Sequence, residues 1–130
     1  YSNIRFEGRK QKDEVLDLMK KAKALIFPSI WYEGLPYTIL EAFATGTPVI
    51  ASRLGAMADM IKHNFNGYHF TAGDSADLQS SIELFESDDS SKTFYKQARE
   101  TYLNKYHPDI HYKTIMEIYT NLILKPGNKG

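Results

Sequence analysis

The 130-residue chain reads as an α/β fold, a parallel sheet flanked by helices. Three observations predict this. Short apolar runs suit buried strands, Ala24–Phe27 (stopped by Pro28) on both faces and Pro48–Ala51, with Gly67–Phe70 a further short strand. Segments with helical apolar spacing, about 10–15 residues each, alternate with those runs. The charges flank a low-charge centre. Residues 1–27 carry seven basic and four acidic side chains, residues 28–60 only Glu33, Glu41, Arg53 and Asp59, and residues 74–89 six acids and no base. That distribution predicts a buried, site-bearing centre with solvated helices around it.

In chain order, Asn3–Glu7 is expected to form a short strand ending at Gly8. From Asp13 to Ala22, Val15, Leu16, Leu18 and Met19 fall at helical spacing, with bases in the last turn. The strand at Ala24–Phe27 follows. Pro36 fits the first turn of a helix that runs to Thr45 and stops at Gly46. Two further strands come next, then helices over 76–86, 90–105 and 110–124. The last of these puts Ile110, Ile115, Ile118, Leu122 and Ile123 on one side. The organisation predicted is a partial domain over residues 1–106, a C-terminal helix over 107–124 packing on it, and a flexible tail over 125–130. The chain opens at Tyr1 in the middle of a polar-to-apolar pattern, so it is read as a piece of something longer.

The composition, 42% apolar and 25% charged, is that of one ordinary globular domain. Sixteen bases balance sixteen acids, which argues against partners recruited by bulk charge, whether nucleic acid or anionic membrane. With no cysteine, disulfides, zinc–thiolate sites, iron–sulfur ligation and a thiol nucleophile are excluded. The apolar runs fall far short of the roughly 18 residues of a spanning helix, and no signal peptide is read, so a cytoplasmic location is expected. His107 and His111 have i,i+4 spacing, but Pro108 between them predicts a helix-start turn capped by Asp109 rather than a metal site. No dinucleotide fingerprint, phosphate loop or hydrolase nucleophile motif occurs.

In parallel sheets, ligands sit beyond the carboxyl ends of the strands, which here means the loops after Glu7, Phe27 and Ala51. In the second loop an acid, Glu33, and a glycine, Gly34, precede a helix start near Pro36. The free N–H groups of that first turn and the helix dipole make a cradle for a phosphate or diphosphate, and Gly34 lets a ligand approach the backbone. Glu41 lies about a turn and a half inside the helix, with Tyr37 and Thr45 on its face at i−4 and i+4. A carboxylate there can accept paired hydroxyls such as those of a ribose. Each acid also has a plainer reading, Glu33 as a favourable charge near a helix N-terminus and Glu41 as a solvated helix former. Trp31 and Tyr32 either stack on a base or sugar or pack against their own loop.

Taken in order, Pro28-Ser29, Glu33-Gly34-Leu35-Pro36, Glu41-Ala42 and Gly46-Thr47-Pro48-Val49 resemble the donor-sugar signature of GT-B glycosyltransferases. The resemblance is specifically to the retaining enzymes of glycosyltransferase family 4 (glycosyl transferases group 1), whose two acids share the Glu-x7-Glu spacing. Phe6-Glu7-Gly8, Ser52 with Gly55, and Asn66-Gly67 are similar to the family's neighbouring turns, so the resemblance covers roughly residues 4–85. It implies a truncated Rossmann-like sheet, part of the C-terminal half of a GT-B fold. It also implies a substrate, a nucleotide-diphosphate sugar donor, used without an obligatory metal or other cofactor. Glu33 would be the catalytic residue facing the transferred sugar. Gly34, Leu35 and Pro36 would shape the turn around sugar and diphosphate, Glu41 would hold the ribose, and Gly8 and Gly55 would keep the adjoining loops close to the donor.

The resemblance further implies an acceptor, a saccharide or lipid-linked saccharide, bound by an N-terminal half not present here, at work in the cytoplasm or peripherally at the membrane face, in polysaccharide biosynthesis. The chain departs from the family at Gly55-Ala56-Met57-Ala58-Asp59, where many members have Gly-Gly followed by Glu. The family's diphosphate-binding Arg and Lys are expected upstream of Tyr1, and Arg9, Lys10 and Arg53 are read as solvated loop charges. With the strands between Asn3–Glu7 and Ala24–Phe27 missing, the first strand must pair unusually, leave an open edge or borrow a partner, so a dimer or a poorly stable chain is expected. Two other readings stand beside this one: a non-catalytic nucleotide- or phosphate-binding regulatory module, and a GT-B nucleotide-sugar epimerase.

Overall fold

The structure is a computed structural model that describes residues 3–31 and 36–124. Three parallel strands, β1 (Leu25–Phe27), β2 (Val49–Ser52) and β3 (Gly67–Phe70), lie in the order β1-β2-β3. Leu25 pairs with Val49 and Phe27 with Ala51, while Val49 pairs with Gly67 and Ser52 with Phe70. All four residues of β2 are buried, as a central strand covered on both faces must be. Gly67 is fixed by sterics: a Cβ there would stand 1.8 Å from the Val49 carbonyl oxygen.

Six α-helices surround the sheet: α1 (Lys12–Lys21), α2 (Tyr37–Ala44), α3 (Gly55–Met60), α4 (Ser75–Ser87), α5 (Phe94–Thr101) and α6 (Pro108–Leu124). Alternate strand residues address opposite layers. Val49 and Ala51 pack with Met19 of α1, Ile39 and Phe43 of α2, Met57 of α3 and Ala98 of α5. Ile50, Tyr68 and Phe70 face the other way, onto Phe85 of α4 and Phe94 of α5. There the Tyr68 ring meets Phe94 at 5.4 Å and Phe85 at 6.4 Å between centroids. The Tyr68 hydroxyl donates to Asp88 at 3.2 Å, and burial together with that carboxylate raises its pKa. Helix α5 therefore belongs to both layers.

Polar groups in the core are tied down individually. The Thr47 hydroxyl donates to the Met19 carbonyl at 2.7 Å. Buried Asn66 accepts from the Lys62 N–H and donates to the Thr101 hydroxyl and the Met60 carbonyl. Helix α2 closes with a left-handed Gly46 (φ +74°), where Gly46 N–H bonds to Phe43 and Thr47 N–H to Ala42, satisfying two terminal carbonyls. Arg99 of α5 donates to the Ala44 carbonyl at the same helix end, where a cation is favourable.

Several expectations are corrected. Asn3–Glu7 is not a strand. A strand needs a neighbour to bond to, and among the described residues β1 pairs only with β2. Phe6 is instead 96% exposed, and Glu7 pairs with Arg5 and Lys10. The helix expected over 90–105 is three pieces: a 3-10 turn at Asp89–Thr93, α5, and a π turn at Tyr102–Tyr106. The segment after β2 is not all loop, because Met57 and Met60 of α3 enter the core. Pro108 opens α6, and His107 rather than Asp109 caps the turn, its Nδ1 accepting the Asp109 N–H at 3.1 Å. On α6, Ile118 is 56% exposed; the side chains of Ile115, Leu122 and Ile123 lie outside those described, as does the tail at 125–130. No helix among the described residues is long and apolar enough to cross a membrane.

Candidate functional site

Because the strands are parallel, their carboxyl ends, Phe27, Ser52 and Phe70, lie at one edge of the sheet. Helix α2 starts beyond the end of β1. Its N-cap is Pro36, buried and extended (φ −76°, ψ 102°), and no side chain caps it. The first intrahelical bond is donated by Ile39 to the Pro36 carbonyl at 3.1 Å. The N–H groups of Tyr37 and Thr38 therefore precede the helical ladder, and no acid occupies the first turn to neutralise the dipole. Glu33, Gly34 and Leu35, with Tyr32, lie outside the described residues.

Glu41 sits farther along α2, half-buried. It lines a groove of about 480 Å³ with Tyr37, Leu40 and Ala44 of its own helix, Lys12 at the start of α1, Tyr102 and Tyr106 of the π turn, and Pro108. Among the described residues its carboxylate accepts no hydrogen bond and pairs with no cation. An unpartnered half-buried carboxylate in an open groove is set up to take donors from a ligand. Tyr106 adds a hydroxyl whose proton is held more tightly than usual, by burial and then by the nearby Asp59 carboxylate. It is therefore a donor across the physiological range.

The expected companions of Glu41 divide. Tyr37 shares the groove and is 71% exposed. Thr45 does not, because its hydroxyl bonds to the Glu41 and Ala42 carbonyls and to Thr47. Gly8 and Gly55 are both left-handed, with φ of +69° and +48°, so backbone conformation accounts for glycine at each. Neither lines the groove. Trp31 is 74% exposed, and its N–H donates to Ser29 Oγ at 3.2 Å; the rest of its loop lies outside the described residues. Lys10 lies within reach of Glu7 and Glu14, as a solvated surface charge does. Among the described residues no group of three or more His, Asp or Glu side chains is placed to hold a metal ion.

Sequence reasoning missed the far wall of the groove, formed by Lys12, Tyr102 and Tyr106. The two tyrosines stand four residues apart, Tyr102 inside the helix expected over 90–105 and Tyr106 one residue past its end, and that spacing was the available signal that they share a face. Nothing local to either places that face opposite α2.

Comparison with known proteins bears on the family and the fold. The family model described as glycosyl transferases group 1 matches residues 2–101. An uncharacterised glycosyltransferase of Methanocaldococcus jannaschii is 33% identical over 100 residues, 76% of this chain and 28% of its own. Among solved structures, sucrose-phosphate synthase from Thermosynechococcus elongatus superposes with a TM-score of 0.82 at 24% identity, over 94% of this chain and 31% of its own. The Anabaena protein HepE in complex with UDP-glucose superposes with a TM-score of 0.72 at 24% identity, over 81% of this chain and 29% of its own. The chain thus spans under a third of the length of each of these proteins. Fold, motif order and family model agree: the chain belongs to the glycosyl transferases group 1 family and has the fold of the C-terminal part of a GT-B glycosyltransferase.

Proposed function

We propose that this chain forms the donor-binding part of a retaining glycosyltransferase that moves a hexosyl group from a nucleotide-diphosphate sugar to a saccharide or lipid-linked acceptor. The observation that carries the reading is Glu41, a half-buried carboxylate without a partner among the described residues, opening on a groove at the helix that follows β1. In this reading it accepts the two ribose hydroxyls. The N–H groups at the start of α2, which precede the helical ladder, lie toward the diphosphate, where the helix dipole favours the charge that develops on the departing group. Glu33 faces the transferred sugar and stabilises its oxocarbenium character. Gly34, Leu35 and Pro36 shape the turn around it, and Gly8 and Gly55 hold the neighbouring loops. The complex of HepE with UDP-glucose, a protein of the same fold, supports a nucleoside-diphosphate hexose as donor.

Catalysis of this kind is electrostatic and needs no obligatory metal, and the work is done in the cytoplasm, at the membrane face when the acceptor is lipid-linked. The acceptor site and the bases for the diphosphate come from chain outside these residues, so residues 1–130 bind donor without turning it over. The test is ligand-observed NMR on this chain with UDP-, GDP- and ADP-sugars, repeated with Glu41→Ala. Removing a carboxylate that accepts two ribose hydroxyls weakens binding at least about tenfold, since each charge-assisted bond contributes about 1.5–3 kcal/mol. A donor that binds equally well to both proteins would remove Glu41 from the nucleotide site and refute the assignment.

A further inference from the structure

Beside β3, the edge strand away from β1, a second pocket of about 190 Å³ is lined by Arg53, His63, His69, Phe70, Thr71 and Asp77. It shares no lining residue with the Glu41 groove, so a ligand bound here is independent of the donor-binding reading. Its size is below the roughly 300–1,000 Å³ of sites for larger organic ligands and suits a small ion. Its lining carries a guanidinium, two imidazoles and one carboxylate. The two imidazoles lie nearly parallel, 6.0 Å apart with 6° between their planes.

The backbone N–H of His69 donates to His63 Nδ1 at 3.0 Å. With Nδ1 occupied as an acceptor, the proton of a neutral His63 ring is on Nε2, so this side chain presents a donor even when uncharged. His69 Nδ1 is buried and has no hydrogen-bond partner. Its pKa is lowered, mainly by burial and also by the charges of Arg53 and His63. The Arg53 backbone is anchored by its N–H to the Phe70 carbonyl at 2.9 Å. Its guanidinium, among the described residues, has neither ion pair nor hydrogen bond. The single acid at the pocket, Asp77, is engaged elsewhere, one oxygen accepting the Thr71 N–H at 2.6 Å. A guanidinium fork and an imidazole donor therefore line one small cavity, beside an Asp77 carboxylate held through one oxygen by the backbone.

We propose that this pocket is a binding site for a phosphate-class dianion, held by the Arg53 guanidinium and His63 Nε2–H. A planar guanidinium fork beside a fixed N–H donor matches a tetrahedral oxyanion. The test is an NMR titration of the chain with inorganic phosphate at constant ionic strength, following the histidine ring protons and the Thr71 amide. Methyl phosphate is run in parallel to say whether the pocket takes the free anion or an ester.

The expected result is saturable shifts at His63, His69 and Thr71 with one or both ligands. Arg53→Gln weakens them about tenfold and Arg53→Lys less, while Lys92→Gln, at an exposed cation that does not line the pocket, leaves them unchanged. His63→Gln, which alters the other donor, also weakens binding and keeps the test valid should the Arg53 variants fold poorly. Shifts that grow linearly with phosphate, or that survive both Arg53→Gln and His63→Gln, would overturn the proposal.

Discussion

Gly67→Ala is the sharpest test of the sheet that carries the site. The added Cβ would lie 1.8 Å from the Val49 carbonyl oxygen, 2.8 Å from its carbon and 3.1 Å from its nitrogen. An ordinary carbon–oxygen contact is about 3.3 Å, so β2 and β3 must part by roughly 1.5 Å where their register begins. That separation loosens the Val49 N–H bond to the Asn66 carbonyl (3.2 Å) and the next bond of the parallel β2–β3 ladder. Two such bonds contribute about 1 kcal/mol each, and forced repacking of a tight core adds about 1–3 kcal/mol. The expected loss is about 3–5 kcal/mol, or a fall in Tm of roughly 10–20 °C for a chain of this size.

Circular dichroism melts of the two proteins measure it. Because the obstacle is a backbone carbonyl, trimming the neighbour with Val49→Ala gives no rescue. A Gly67→Ala protein melting within about 2 °C of the parent, or one restored by Val49→Ala, would refute the steric account.

Other outcomes rest on the same packing. Asn66→Ala removes bonds to Lys62, Met60 and Thr101 and strands buried backbone groups, costing about 3 kcal/mol in urea denaturation with little change in the m-value; a loss under about 1 kcal/mol would contradict this. His69 has a pKa lowered by burial, so the unfolded chain takes up its proton first as pH falls. Its contribution to stability is whole above pH 6.5 and declines as pH falls below that value, and His69→Gln should flatten the drop in Tm between about pH 7.5 and about pH 5.5. An unchanged slope would remove His69 from the titration. β1 offers one unpaired edge among the described residues, with Ile26 41% exposed, and light scattering is expected to find a dimer. A monomer with a sharp melt would count against that pairing.

β2 was legible because a parallel strand buried on both faces must be a continuous apolar run. β1 has such a run but, as an edge strand among the described residues, leaves Ile26 41% exposed, which corrects the expectation that it is buried on both faces. The end of α2 was equally readable, since Gly46 is the left-handed residue its C-terminus requires. Asn3–Glu7 failed for a non-local reason, because strand pattern without a pairing partner does not make a strand. Helix α3 was hidden because Gly55-Ala-Met-Ala-Asp-Met60 has too short a span to display a period, and its two methionines do the packing. At the site, Glu41 could be found from spacing within one segment. Lys12 and Tyr106 could not, since their meeting depends on how α1 and the π turn settle around α2.

The double allegiance of α5 bears on how the chain comes to be folded during synthesis. Phe94 closes one layer, Ala98 the other, and Thr101 receives the amide of Asn66, so neither side of the sheet is sealed until this late helix has arrived. A nascent chain ending before Phe94 lacks one wall residue in each layer around β2, leaving a gap on either face open to whatever surrounds the ribosome. Emergence of α5, and not of any strand, is the event that ends that exposure, and it commits both layers at once.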